Sequence, residues 1–469
     1  MQFELTKEFI SSLQEFIENG KDKTIQKALH GLHPADISDV MEELKSDEAT
    51  YIYKLLDNDE AADVIIELED DELAKLLSAL TSKEIAEIID ENVDSDDAAD
   101  VIQMLPEQKQ EEVIAQISDE SQASDIVDLL QFEEGTAGAI MAKELVSVNI
   151  NWTVAQAIRE MRKQADDLEN VYTIYVIDDK GVLQGILSLK QLLFSATSTR
   201  TTIKEIYTND DLRSVEADED AEEVAGLMEK YDLVVIPVVT SANQLVGRIT
   251  IDDAVDVIKD EAGRDYQMAS GISERVDSED RIQRILRARF PWLLIGLIGG
   301  IFGALVINIY EHDIKIFPEM AFFIPLIAAM GGNVGVQSSA IIVQGLANKT
   351  IGLSSTGQKL LKELGVATLN GIILALVILA FNLRFGDSLA LSYTVSIALF
   401  CVIIFASLFG TLTPLILDKV NIDPALATGP FITTANDIVG LFIYFIIGRF
   451  MYSYFEETEA FVEAILLIC

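Results

Sequence analysis

Asp437 is the side chain in this sequence with the most to explain. It lies inside the apolar stretch 424–448, whereas the other long apolar runs, 290–310, 320–348, 364–383 and 388–417, contain no charged residue. A carboxylate near the centre of a bilayer costs about 2.5–3.5 kcal/mol on insertion scales, so such a group normally faces a wet cavity or a partner. Read as a helix over 430–454, the stretch puts Pro430, Thr433, Thr434, Asp437, Gly440 and Tyr444 near one face, with Phe431, Ile438, Val439, Phe442 and Phe445 opposite. At the helical rise Asp437 falls about 10 Å below Pro430, too deep for a side chain that merely snorkels. Oxygen ligands on a polar stripe are chemistry for a hard cation. The structural alternative is a protonated Asp hydrogen-bonded to a neighbouring helix.

The run 320–348 offers a second polar stripe. It contains Gly331-Gly-Asn-Val-Gly-Val-Gln-Ser-Ser339, and Asn333, Gln337 and Gln344 recur at spacings of four and seven. Its glycines permit close helix approach, and polar glue between helices is the bland reading. Paired with Asp437, the two stripes read as opposing walls of an aqueous path. Outside the apolar runs, 252–267 reads as a helix bearing Asp252, Asp253, Asp256, Asp260, Glu261 and Asp265, of which Asp253, Asp256 and Asp260 share a face. Like charges so placed repel unless cations neutralise them. Asp94, Asp96, Asp97 and Asp100 cluster at another helix start, where favourable interaction with the helix dipole is the simpler explanation.

The elements that must position these groups divide the chain sharply. Of a net charge of −43 over 469 residues, residues 1–289 carry −38 and residues 290–469 only −5. An acidic front followed by apolar runs argues against nucleic acid or anionic lipid as its partner and favours cations or basic proteins. Residues 1–19 mix Glu and Lys with isolated apolar residues, so no secretory leader is expected and the front is expected in the cytosol. Cys401 and Cys469 offer no disulfide framework, and His30, His33 and His312 are too scattered for a zinc site.

Residues 7–134 read as short amphipathic helices in which a loose phrase recurs at Ala35-Asp36-Ile37, Ala62-Asp63-Val64, Ala99-Asp100-Val101 and Ser124-Asp125-Ile126, the pattern of a stacked helical repeat. Strand patterns follow at 171–177 and 182–187 and again at 233–239 and 245–250, each pair preceded by a helix, at 154–163 and 221–231. A helical piece at 278–289 carries Arg281, Arg284, Arg287 and Arg289 just before the first apolar run, as the inner edge of a membrane selects. Each of the five runs is long enough to cross about 30 Å of hydrocarbon. Lys349, Lys359, Lys362 and Lys419 then fall inside and Glu311, Asp313, Glu319 and Asp387 outside, with Arg384 and Arg449 as exceptions.

The duplicated strand–helix pattern resembles a tandem pair of cystathionine-β-synthase (CBS) domains. In that family a Thr or Ser followed three residues later by Asp often holds an adenine nucleotide. Thr250 and Asp253 match it in the second copy, whereas the first has Ser188 and Gln191. Over its whole length the chain is similar to the MgtE family of magnesium channels and transporters. The resemblance rests on the order of parts, the 331–339 motif and Asp423-Pro-Ala-Leu-Ala-Thr-Gly-Pro-Phe-Ile-Thr-Thr-Ala-Asn-Asp-Ile-Val-Gly440. It implies a multidomain membrane protein: an acidic α-helical repeat domain (1–134), CBS domains of α/β type (135–199 and 200–258), a connecting helix region (259–289) and an all-α five-span transmembrane domain (290–469).

The same resemblance implies a non-enzymatic homodimer in the cell membrane, N-terminus cytosolic, that admits Mg²⁺ and contacts membrane lipid. Its ion path would be lined by Asp437 with Asn333, Gln337, Thr433 and Thr434. Intracellular Mg²⁺ would be sensed at Asp97, Asp100, Glu222, Asp232, Asp253, Asp256, Glu261, Asp265 and Asp423, and ATP is an option at Thr250 and Asp253. Lys259 and Arg264 replace acidic residues common in the family, and Gly429 replaces a polar one. Other oxygen-loving cations, Mn²⁺, Co²⁺ or Ca²⁺, are the nearest alternative cargo. An aspartyl protease would need two adjacent carboxylates, and only Asp437 is read as lying deep in an apolar run. A nucleotide-responsive receptor without transport is a third reading.

Overall fold

The computed structural model describes residues 3–90, 93–164, 171–194, 198, 200–210, 212–276, 281–347, 356–386, 388–420, 422–427 and 429–468. Ser278, Lys349, Asp387 and Cys469 lie outside these residues. The chain divides into two compact units, Met1–Glu261 and Ala262–Cys469.

The first unit opens with short helices: α1 (Lys7–Glu18), α2 (Asp22–Leu29), α3 (Pro34–Glu42), α4 (Ser46–Tyr53), α5 (Asn58–Ile66), α6 (Asp70–Ala79), α7 (Ser82–Ile89), α8 (Ser95–Gln103), α9 (Glu107–Ile114) and α10 (Glu120–Leu129). Side-chain caps set several starts. Thr6 accepts from the Phe9 N–H, Asp57 from Glu60, and Thr81 with Glu84 forms a capping box. Helices pack on their next-but-one neighbours, α3 on α5, α5 on α7 and α7 on α9. The recurring phrase follows from this stacking: Ile37, Ala62, Val64, Ala99, Val101 and Ile126 are buried while Asp63 and Asp100 point to solvent.

Two copies of one α/β motif follow. β1 (Val146–Asn149), α11 (Val154–Gln164), β2 (Ile174–Ile177), β3 (Leu183–Leu187) and α12 (Leu189–Phe194) form the first. β4 (Val215–Glu216), α13 (Ala221–Lys230), β5 (Val235–Val239), β6 (Leu245–Thr250) and α14 (Ile251–Ala269) form the second. In each, the first strand pairs parallel to the second and the second antiparallel to the third. The copies hold each other through their turns, Leu183 N–H donating to Asn243 O (2.9 Å) and Leu245 N–H to Gly181 O (3.0 Å). β2 and β5 begin two to three residues later than the apolar runs, because Val171 and Leu233 pack outside the ladders.

The second unit contains α15 (Ile282–Ile309), α16 (Glu311–Ile316), α17 (Ile324–Ala347), α18 (Thr356–Phe385), α19 (Leu389–Lys419) and α20 (Pro430–Ile468). Among the described residues, α15, α17, α18, α19 and α20 give five candidate spans by length and composition. α19 is the core of the bundle: Val395, Ala398, Leu399, Val402, Ile403 and Ala406 are buried, and α17, α18 and α20 pack on it. α15 and α18 instead expose Leu293, Leu297, Ile301, Leu369, Leu376 and Val377, an apolar surface suited to acyl chains.

Three sequence expectations change here. The basic piece and the first span are one continuous helix, with Pro291 inside it. α18 starts before the apolar run and takes Lys359, Lys362 and Glu363 into the third span, so Asp437 is not the lone carboxylate within the spans. Arg449, an exception to the charge rule, pairs with Asp313 at 2.6 Å and so carries no unbalanced charge.

Candidate cation path and acidic clusters

Asp437 is half-exposed on α20 and faces the glycine-rich part of α17. A Cβ added to Gly332 would lie 3.0 Å from the Thr433 methyl and 3.5 Å from Asp437 Oδ1, so glycine lets the carboxylate approach the α17 backbone. Thr433 donates to Gly429 O at 3.1 Å. The Thr434 methyl fills the space a side chain would need at Gly299 of α15. Tyr444 is buried and donates to Met320 O at 2.9 Å. Asn333, Gln337 and Gln344 all lie exposed on the surface of the single chain.

Two polar residues here escaped the sequence reading. Asn436, 1 % exposed, fits against Gly335, and neither atom of its amide has a hydrogen-bond partner among the described residues. Glu363 of α18 accepts through Oε1 from Ser338 Oγ of α17 (2.6 Å) and Ser407 Oγ of α19 (2.7 Å). It falls just before the apolar run 364–383, beside Lys359 and Lys362. Only the fold supplies the two serines.

In the first unit the helix start at Asp94 to Asp100 meets the second CBS copy and the β1 approach. Oxygens of Asp94, Asp96 and Glu144 lie within 4.8 Å of one another. Ser95 donates to Glu144 (2.9 Å), and Arg248 reaches Asp94 at 3.2 Å. Asp96 is 7 % exposed, and its Oδ1 has no partner among the described residues. Burial, then Asp97 and Asp253, hold the Asp96 carboxyl well above the usual carboxylate range. Burial first, then the charge of Asp253, raises Asp97 to about 7. Crowded, desolvated carboxylates with an unused oxygen fit a hard divalent cation that takes oxygen ligands. Glu144 and Arg248, distant in sequence from the Asp cluster, were not legible there.

The other expected sensor residues are dispersed. Glu222, Asp232 and Asp256 are exposed, Asp232 with a left-handed φ of 53° at the end of α13, and Glu261 is half-buried. In the second unit, burial and then the charge of Asp423 push the Asp265 carboxyl up. Thr250 and Asp253 are engaged with each other: the Thr250 N–H and hydroxyl both donate to Asp253 Oδ2, at 2.9 and 2.6 Å. The nearby cleft among Glu144, Tyr172, Tyr175 and Arg248 measures about 10 Å³.

Five apolar helices and a tandem CBS pair on one chain define a multi-pass membrane protein. The MgtE family, described as a divalent cation transporter, matches residues 324–447, the MgtE intracellular N domain matches 32–135, and CBS domains match 137–197 and 203–260. The magnesium transporter MgtE of Thermus thermophilus is 33% identical over 443 residues, 94% of this chain and 98% of that protein. That of Enterococcus faecalis is 37% identical over 330 residues, 70% and 72% of the respective chains. A crystal structure of the cytosolic domain of the Mg²⁺ channel MgtE in complex with ATP is 36% identical, covering 53% of this chain and 99% of that one with a TM-score of 0.48. The chain belongs to the MgtE family of divalent cation transporters.

Proposed function

We propose that this protein carries Mg²⁺ inward across a cell membrane along a path lined by α17 and α20, and that intracellular Mg²⁺ closes the path. One observation carries the reading: a half-exposed carboxylate inside a span lies against a glycine-rich helix whose Asn333, Gln337 and Gln344 are exposed. Amides left at the surface of a membrane bundle are costly against lipid, so a second copy of the chain is the natural cover, with the stripes of both copies facing one path. The relatives named magnesium transporters support the cargo. One carboxylate per subunit with amide and hydroxyl oxygens binds a hydrated Mg²⁺ through its water shell. A tighter cage would hold the ion too well to release it.

The cytosolic part supplies the gate. At high Mg²⁺, ions neutralise Asp94, Asp96, Asp97, Asp253 and Glu144 in one region and Asp265 with Asp423 in another. At low Mg²⁺ repulsion among these groups loosens the closed arrangement. Glu222, Asp232, Asp256, Glu261 and Asp100 are assigned to the same electrostatic field. No step runs through a nucleotide. Uptake into proteoliposomes of Mg²⁺, Mn²⁺, Co²⁺ and Ca²⁺, each offered alone, tests the cargo. Mg²⁺ uptake above protein-free vesicles is expected, and its absence while another of these ions enters overturns the Mg²⁺ assignment.

A further inference from the structure

Ser338 and Ser407, 4 % and 1 % exposed, come from α17 and α19 and stand 3.1 Å apart. Both hydroxyls converge on one oxygen of Glu363, from α18, at 2.6 and 2.7 Å. A single carboxylate oxygen therefore ties three spans together. Charge-assisted O–H···O⁻ bonds of this length are the strong kind, and in a low-dielectric bundle they gain further over neutral ones. Ser338 follows Gln337 directly and lies five residues after Asn333, so the tie fixes the rotation of α17 at the level of its polar stripe. The stripe itself is exposed, while the buried face of the same helix packs through Gly332 and Gly335 on α20.

We infer that Glu363 is a positioning residue for cation transport: through Ser338 it sets the angle at which Asn333 and Gln337 meet the ion opposite Asp437. Glu363 itself touches two serines and not the path. This rests on the reading of α17 and α20 as the walls of that path. The two donors need one acceptor oxygen, which a glutamine also provides, so Glu363→Gln keeps the tie and Glu363→Leu removes it.

The test is Mg²⁺ uptake by the full chain in proteoliposomes across external Mg²⁺ concentrations, with thermal unfolding in detergent measured on the same preparations. Glu363→Gln is expected to keep the half-saturating Mg²⁺ concentration within about twofold, whereas Glu363→Leu raises it about tenfold or more, the order expected when a binding group is displaced. Ser338→Ala combined with Ser407→Ala should reproduce the rise, and adding Glu363→Leu to that pair should add little, because all three act as one unit. A purely structural role would lower the unfolding temperature and the amount of active protein while leaving half-saturation unchanged, and that result overturns the inference. So does a glutamine variant as impaired as the leucine one. If Glu363→Leu does not fold, the serine pair decides by the same criterion. Asp437→Ala runs alongside: loss of uptake there with an unchanged Glu363 series refutes only the positioning role, whereas parental uptake refutes the path and the inference together.

Discussion

Asp97 shows how a residue's surroundings set its response to ions and protons. In the folded chain its carboxyl holds a proton to about pH 7, chiefly through burial and the charge of Asp253. In the unfolded chain it releases the proton in the ordinary carboxylate range. Between those values the folded state binds more protons, so stability falls as pH rises through this window and the full penalty remains above it. A divalent cation offsets the penalty only where the carboxylates are ionised. Thermal unfolding of the full chain should therefore shift upward with millimolar Mg²⁺ by more at pH 8 than at pH 5, and a shift that is equal or larger at pH 5 contradicts the sensor cluster. Asp437 was legible in sequence because one charge breaks an otherwise apolar run. Glu144 and Arg248 were not, since their meeting with Asp94 depends on a fold that joins segments about 50 and 150 residues apart.

At the scale of elements, glycine sets where α17 and α20 can touch. Side chains at Gly332 and Gly335 would meet Thr433 and the amide of Asn436. The helices themselves were legible from their apolar length, but their angular positions were not, because spacing groups residues without saying what each face meets. Tyr444 illustrates this. Helical spacing puts it on the face of Asp437, yet its hydroxyl is committed to the Met320 carbonyl. Tyr444→Phe should cost about 1 kcal/mol, or a few degrees in unfolding temperature, by orphaning that carbonyl, and leave Mg²⁺ uptake per folded protein intact. Loss of uptake at unchanged stability would place the hydroxyl in the path. Sequence likewise cut α18 short at its first charges, because Lys359, Lys362 and Glu363 interrupt the apolar run, and nothing in the spacing shows that Ser338 and Ser407 hold the carboxylate.

Across the whole molecule, a strongly acidic front and a nearly neutral apolar back are separate physical problems. The front gains most from counter-ions, so limited proteolysis of the full chain in detergent should be slower with millimolar Mg²⁺ than with matched ionic strength of Na⁺. Equal cleavage in the two salts would remove cation-driven closure while leaving transport standing. The alternation of helices and strands made the domain order readable, since each part repeats a local pattern. The mutual engagement of Thr250 with Asp253 was hidden, because the same pair matches a nucleotide motif in sequence. The most direct measurement is Mg²⁺ flux into proteoliposomes carrying equal amounts of folded parent, Asp437→Asn and Asp437→Ala protein. Flux lost in the alanine variant and strongly reduced in the asparagine one is the expected result, and parental flux from Asp437→Ala would contradict the role given to this carboxylate.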